Sequence, residues 1–290
     1  MIAPMRLISH PGPAAPERVT ALPCKATPVR LTLRAGQSLA DAVPNAFLQA
    51  GFDFGYLRLD GSFFAPLTFV TPSPAPDDSH AAWYSDTHKF NAARVRHGGV
   101  HLGQRDGKPF LHCHGVWDSP DAMAYAGHVL CEESVLAQDC TVSGWGITGA
   151  GLVGGHDPET NFTLFRPEVR AVSSRANAFL ITLRPNQDIG TALVPFARQQ
   201  DIQSLRIEGI GSLVGTRFEN GQGVESFATE ILILVGQIAG DTVQIQVASV
   251  GFDGRARTGT LAPGANAICV TAEVLMICEK PTAQLTASVT

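Results

Sequence analysis

The chain is poor in charge and has no long apolar run. Asp, Glu, Lys and Arg make up 16% of its 290 residues, while hydrophobic residues make up 44%. This composition excludes intrinsic disorder for most of the chain. The lack of any run of 18 apolar residues excludes a membrane-spanning helix. The net charge of -5 provides no basic surface for phosphates, so it argues against a nucleic-acid partner.

No CxxC pair occurs, and the cysteine spacings match no zinc-finger pattern. The six cysteines are Cys24, Cys113, Cys131, Cys140, Cys269 and Cys278. The N-terminal residues contain prolines and lack the apolar core of an export signal. We therefore expect a cytoplasmic protein whose cysteines are reduced and mostly buried.

Histidine is absent from the last 134 residues, and all nine histidines lie in the first 156. The simplest explanation is a histidine-containing loop region. The alternative is that one half of the chain has imidazole chemistry that the other half lacks.

The two halves resemble each other when the chain is shifted by 150 residues. Residues 30–62 and 180–212 then share eight identical pairs, among them Thr32-Leu33-Arg34 with Thr182-Leu183-Arg184. We interpret this as an internal duplication. It predicts a first domain over residues 27–150, a linker over 151–176 and a second domain over 177–280.

Each half is predicted to have an α+β fold, in which a mixed, mostly antiparallel sheet packs against one main helix. Apolar residues at helical spacing after Ser38 predict a helix from Leu39 to near Gly51. The second helix is expected from Asp188 to about Gln200. Alternating segments predict the strands, including Pro109–Trp117, Ser134–Ile147 and Ser212–Phe218.

Three histidines of the first half have the spacing of a metal site. His112 and His114 are two residues apart on a predicted strand, so they share one face, with Leu111 and Cys113 on the other. His128 follows on a returning Gly-His turn. Three imidazoles leave a fourth position open, as in catalytic zinc sites, although nickel, copper and iron also accept imidazole. The alternative is that these histidines only form hydrogen bonds within a sheet.

The second half has none of these three imidazoles. Alignment of the hairpin turns places Gln246, Ala248 and Thr260 opposite His112, His114 and His128. The joint loss of three residues in one framework favours a metal site in the first half and argues against one in the second.

The segment from Gly107 to Trp117, GKPFLHCHGVW, together with Gly127-His128, resembles the plants-and-prokaryotes-conserved (PPC) domain family. So do the openings at Leu33–Gln37 and Leu183–Gln187. The resemblance implies two tandem copies, a fold class shared with acetolactate decarboxylase, trimer-like self-assembly, and His112, His114 and His128 as metal ligands. We expect one divalent metal ion at this site, with zinc as the first candidate.

The same resemblance leaves three functions open. The metal could act on a small carbonyl or carboxylate substrate; the protein could be a DNA-binding regulator; or it could be a scaffold with a structural metal. DNA-binding plant members have an AT-hook, and its Arg-Gly-Arg-Pro core is absent from this chain. Arg34, Glu133 and His101 are further candidates for contacts with the ligands or the substrate, although a structural ion pair is the simpler prediction for Arg34 and Arg184.

Overall fold

The structure is a computed structural model that describes residues 5–118, 123–171, 175–199 and 204–278. The first half contains these elements: β1 Val19–Leu33, α1 Leu39–Gln49, β2 Phe54–Arg58, β3 Phe63–Phe64, β4 Leu67–Val70, β5 Pro72–Ser73, β6 Trp83–Tyr84, β7 His88–Phe90, β8 Ala93–Arg105, β9 Lys108–Asp118, β10 Ala124–Val129, β11 Cys140–Thr148, β12 Ala150–His156 and β13 Thr163–Val169. The second half contains these: β14 Ala178–Leu183, α2 Leu193–Gln199, β15 Ser204–Leu213, β16 Thr216–Arg217, β17 Gly223–Val224, β18 Thr229–Ala239, β19 Thr242–Val250, β20 Arg257–Thr260 and β21 Ile268–Cys278.

Antiparallel strands dominate both halves, and six strands follow in the same order in each, while β4 and β7 extend the order only in the first half. In the first half the order is β1-β11-β2-β8-β9-β10-β4-β7. In the second half it is β14-β21-β15-β18-β19-β20. The prediction of a mostly antiparallel sheet is confirmed. Helix is scarcer than the α+β prediction implies, because among the described residues the two α-helices contain 11 and 7 residues.

The strand β1 belongs to both sheets. Its first part, Val19 to Cys24, pairs with β14, and its second part, Lys25 to Leu33, pairs with β11. Each part has a ladder partner on one side only among the described strands, which leaves room for Pro23 and Pro28, since proline cannot donate to a ladder. This strand therefore joins the two halves into one continuous sheet.

Separate apolar cores lie under the helices, and a third core lies between the halves. One core packs α1 against β8 and β9, and another packs α2 against β15 and β18. The third contains Tyr56 and Leu152 from the first half together with Leu180 and Leu275 from the second. This shared core holds the two sheets against each other, and the histidine-bearing strands face the junction.

The segment predicted as a linker, residues 151–176, forms a hairpin along most of its length. Strands β12 and β13 pair from Ala150↔Val169 to His156↔Thr163. The Gly and Pro residues that suggested a linker lie within this hairpin, where Gly154 pairs with Phe165 and Pro167 pairs with Leu152. The domain boundaries themselves stay a prediction.

Three predicted elements were longer than the observed ones: the second helix and the strands over 134–147 and 212–218. The helix α2 begins at Leu193 rather than Asp188, so that Pro195 falls in its first turn, where no backbone donor is needed. The Asp188 side chain instead accepts from the Thr191 amide at 2.8 Å. Residues 134–139 are not part of β11; they form isolated bridges to Ser38 and Phe64. Over 212–218, the structure has the end of β15 and the two-residue β16.

A buried ion network ties the hairpin to the second half. Asp157 accepts from Arg184 at 2.9 Å and from Arg166 at 2.6 Å. Glu159 binds Arg18 at 2.7 Å and Arg184 at 3.3 Å. The prediction that Arg184 forms a structural ion pair is therefore confirmed.

Candidate metal centre

The three histidines lie on two neighbouring strands that face the second half. His112 and His114 are on β9, and His128 is directly opposite His114 on β10. Leu111 and Cys113 point into the core under α1, which confirms the predicted alternation of β9. The three rings have centroid distances of 4.8, 5.1 and 5.5 Å, and one nitrogen from each lies within 4.8 Å of the others.

Hydrogen bonds from the second half determine which nitrogens of His112 and His114 face each other. The Nδ1 of His114 is 2.9 Å from the Ile231 carbonyl, to which it must donate. The Nδ1 of His112 is 3.0 Å from the Glu273 carboxylate. The two Nε2 atoms are then 3.1 Å apart. Two nitrogens bound to one tetrahedral zinc ion would be roughly 3.3 Å apart, so this pair fits a shared ion.

His128 has an unpartnered ring nitrogen, as a third metal ligand would have before the ion binds. Its Nδ1 is buried and has no hydrogen-bond partner among the described residues, and a buried polar atom without a partner is costly. The neighbouring Gly127 allows β10 to approach β4, because a Cβ there would lie 2.4 Å from the Val70 carbonyl oxygen. The donor set and its hydrogen bonds to Glu273 and Ile231 are those of a histidine metal site.

Two buried glutamates of the second half complete the site, and the sequence analysis missed both as site residues. Glu273 on β21 has no exposed surface. Glu230 on β18 is 6% exposed, and its Oε1 is 3.8 Å from the His114 Nε2. Each is a lone acid in an otherwise apolar strand sequence, ICVTAEVLMIC and TEILILV. That pattern was the available signal, because a charged residue inside a buried strand needs a partner.

Burial determines the protonation of three groups in the site. Together with a smaller effect of the neighbouring His112, it lowers the pKa of His128 to about 3. Burial also lowers the pKa of His114 well below 6.5. Burial raises the pKa of Glu230 to about 8. Neutral imidazoles are the forms that bind a metal, so His114 and His128 are held ready for it.

A cavity of about 270 Å³ opens beside the three histidines. Its walls come from both halves, from β9 and β10 and from β18 and β21. The segment over residues 71–87, which the sequence analysis identified as an insertion, contributes β5 and β6 to it, and the loop between β12 and β13 closes another side. The histidines thus contact a space that a small molecule can enter.

Of the other three predicted site residues, only His101 lies near the three histidines. His101 lies next to His112 across the β8–β9 ladder and is fully buried, with its Nε2 3.2 Å from the Glu273 carbonyl oxygen. Arg34 is exposed and pairs with Asp139 at 2.7 Å. Glu133 is exposed in a turn, and neither Arg34 nor Glu133 lines the cavity. Neither side chain is therefore placed to contact a ligand in that cavity.

The strand register also corrects one of the residue pairs in the alignment of the two halves. Gln246 and Ala248 occupy the positions of His112 and His114 on β19. However, Ala248 faces Thr258 across the β19–β20 ladder, as His114 faces His128. Thr258, not Thr260, is therefore the counterpart of His128, and this position also lacks an imidazole.

Comparison with known proteins gives a family match in the second half. Residues 170–279 match the family model described as the Plants and Prokaryotes Conserved (PCC) domain. The matched segment is the one without histidine, whereas the histidine motif that suggested the family lies in the first half. No curated protein matches the chain.

Solved structures similar to the chain each cover about half of it. A candidate DNA-binding protein of Ralstonia eutropha JMP134 has 16% identity and a TM-score of 0.38 over 49% of this chain and 95% of its own. A metal-containing protein of Archaeoglobus fulgidus has 18% identity and a TM-score of 0.37 over 48% and 93%. A plant- and prokaryote-conserved (PPC) protein of Pyrococcus horikoshii has 11% identity and a TM-score of 0.38 over 51% and 96%.

None of the described helices is long and apolar enough to cross a membrane.

Proposed function

We propose that this protein binds one divalent metal ion, zinc, through His112, His114 and His128, and acts there on a small carbonyl or carboxylate substrate. The observation that carries the proposal is the convergence of the three imidazoles, with the Nε2 atoms of His112 and His114 3.1 Å apart and the buried Nδ1 of His128 without a partner. A bound metal would supply a Lewis acid and an open position for an oxygen ligand.

The residues of the second half hold this arrangement. Glu273 accepts from His112, and the Ile231 carbonyl accepts from His114, so both rings are fixed in orientation and tautomer. Glu230 lines the cavity, a position from which a carboxyl group can exchange a proton with a ligand. The aromatic residues around the cavity would exclude water from that ligand.

The adjoining cavity favours an enzyme over a scaffold with a structural metal. A structural zinc site is normally closed by four protein ligands. Here three imidazoles converge on a cavity of about 270 Å³, which leaves space for a substrate or a water molecule.

We further propose that the chain is a tandem pair of PPC-like domains in the cytoplasm and that it assembles with itself. The order of six strands that the two halves share supports the tandem origin. The six free thiols fit a reducing compartment. The shared fold class with acetolactate decarboxylase and the absence of a nucleic-acid partner stay predictions, the latter supported by the net charge of -5.

The metal proposal is tested by elemental analysis of protein dialysed against zinc. We expect about one equivalent of zinc per chain in the wild type and none in His114→Ala, because two imidazoles bind the ion far more weakly than three. His97→Ala is the control, since the His97 side chain is exposed and its Nδ1 lies 3.6 Å from the Asp60 carboxylate. This variant should keep its zinc. Equal zinc contents in wild type and His114→Ala would refute the proposal.

A further inference from the structure

A second cleft lies between the two halves and shares no lining residue with the histidine cavity. It measures about 500 Å³ and is bordered by β2 and β8 of the first half and by β15, β18, β19 and β20 of the second. Three of its lining residues occupy the positions of three that line the histidine cavity: by strand register, Gln246, Thr258 and His97 correspond to His112, His128 and Glu230. The two halves therefore form two clefts at corresponding positions, and the three converging imidazoles occur in only one of them.

A buried carboxylate holds two guanidinium groups at this second cleft. Glu208 on β15 is buried. Its Oε2 accepts from the Arg58 Nε at 2.7 Å, and its Oε1 accepts from the Arg206 Nε at 2.7 Å. Arg58 also donates to the Leu234 carbonyl oxygen at 3.1 Å. All these contacts use Nε and Nη2, and neither Nη1 atom has a hydrogen-bond partner among the described residues.

The two arginines line the second cleft, whereas Glu208 lies outside its lining. Arg58 and Arg206 therefore present their unused Nη1 donors to the cleft while Glu208 fixes the two side chains from another side. Donors that are already fixed lose little conformational entropy when a ligand binds. The arrangement is that of a preorganised pair of guanidinium groups.

The charges around the second cleft are not equally screened. Arg58, Arg206 and Glu208 together have one net positive charge, and Asp60 in the lining brings the sum to zero. The Asp60 side chain is 46% exposed, already accepts from a backbone amide at 3.0 Å and lies 3.6 Å from the His97 Nδ1. The Arg58 side chain is only 16% exposed. Water screens an exposed charge more than a buried one, so the positive charge acts more strongly inside the cleft.

We infer that the second cleft binds the phosphate group of a small phosphomonoester through the Nη1 atoms of Arg58 and Arg206. Guanidinium donors match phosphate oxygens in geometry and charge. The side chains of Gln246 and Thr258 line the same cleft as uncharged donors. At about 500 Å³, the cleft lies within the range of ligand pockets, roughly 300–1,000 Å³, and has room for the organic group. Two guanidinium groups serve one phosphate and do not form the extended basic surface that a nucleic acid needs.

The inference is tested by isothermal titration calorimetry at low ionic strength with phenyl phosphate and benzoate. The protein is first treated with a chelator and dialysed, so that no metal ion binds the anions. We expect phenyl phosphate to bind at least about tenfold more tightly than benzoate, because it offers one more oxygen and more charge to the same donors. Equal or tighter binding of benzoate, or no binding of phenyl phosphate at about 10 mM, would overturn the inference.

Four variants locate the phosphate. Arg206→Gln should weaken phenyl phosphate binding about tenfold, whereas Arg198→Gln is the matched control, since Arg198 is also half-exposed and paired with an acid. Asp60→Asn should tighten binding, because it removes a like charge without changing the shape of the side chain. His114→Ala should bind as the wild type does. Unchanged affinity in Arg206→Gln, weaker binding in Asp60→Asn or lost binding in His114→Ala would each overturn the inference. None of these outcomes depends on zinc, so the test is independent of the metal proposal.

Discussion

One side chain and one backbone carbonyl of the second half determine how two histidines of the first half are oriented. Glu273 and the Ile231 carbonyl each accept a hydrogen bond from an Nδ1 atom, which leaves an Nε2 lone pair of His112 and of His114 directed into the site. A carboxylate behind a metal-bound imidazole fixes the ring and increases its basicity. Glu273 is therefore a positioning residue.

The positioning role of Glu273 is tested with Glu273→Gln. The amide keeps the size of the side chain but removes its charge, so we expect zinc affinity to fall about 10–100-fold. Competition with a chromophoric chelator measures the change. Glu168→Gln is the control because Glu168 is 54% exposed, and its affinity should equal that of the wild type. An unchanged affinity in Glu273→Gln would contradict the role.

His101 gives the protein a stability that depends on pH. Burial lowers its pKa to about 4, whereas a histidine in the unfolded chain has a pKa near 6.5. Between these values the unfolded chain binds a proton that the folded chain does not, so stability is lost as the pH falls from 6.5 to 4.

The contribution of His101 is measured by urea unfolding of metal-free protein between pH 7.5 and 4. As the pH is lowered, the free energy of unfolding of His101→Gln should fall less steeply than that of the wild type. The two slopes should differ by up to about 1.4 kcal/mol per pH unit, because one protonation step is removed. The glutamine can still donate to the Glu273 carbonyl. An identical slope in the two proteins would show that another group determines the acid sensitivity.

At the scale of elements, the hairpin β12–β13 is joined to the first half by pairing with β8 and to the second half by buried charges. Asp157 is completely buried and accepts from Arg166 and Arg184. Removing one partner from such a network leaves the others without compensation, which is usually more costly than the network is favourable.

The ion network is tested with Asp157→Ala, which should lower the free energy of unfolding by about 3 kcal/mol, since it removes one carboxylate partner of the mostly buried Arg184 and the acceptor of the buried Thr160 hydroxyl. The control is Asp241→Ala, which breaks an exposed pair with Arg198 and should cost less than about 1 kcal/mol. Urea denaturation followed by circular dichroism measures both. Equal losses in the two variants would contradict a structural role for the network.

At the scale of the whole molecule, the two halves form one unit through the shared strand β1 and the shared core. The site lies at their junction, with its histidines in one half and its carboxylates in the other. Neither half alone contains the complete site. This division explains why the half that lacks histidine still contributes to the candidate metal centre.

The predicted self-assembly is tested by sedimentation velocity of the zinc-treated protein. The resemblance to the PPC family implies a closed assembly, so we expect a species of at least twice the chain mass of 30.7 kDa. A single species at 30.7 kDa across the micromolar range would contradict the prediction.

The sequence alone determined the elements and candidate ligands that depend on local pattern. The alternation in β9 placed His112 and His114 on one face, and the apolar spacing after Ser38 placed α1, where the Ser38 hydroxyl accepts from the Asp41 amide at 3.1 Å. The antiparallel sheet followed from repeated strand and turn signals. These features depend on neighbours in the chain, which a sequence displays directly.

Only the tertiary structure decided which distant residues meet. Glu230 and Glu273 reach the histidines because the two sheets pack face to face, across more than 100 residues of sequence. The segment predicted as a linker forms a hairpin, because its two strands pair with each other and β12 also pairs with β8. Arg34 and Glu133 looked suitable by residue type, but both are exposed and lie outside the cavity lining. Contacts between the halves depend on the docking of two surfaces, which no local pattern encodes.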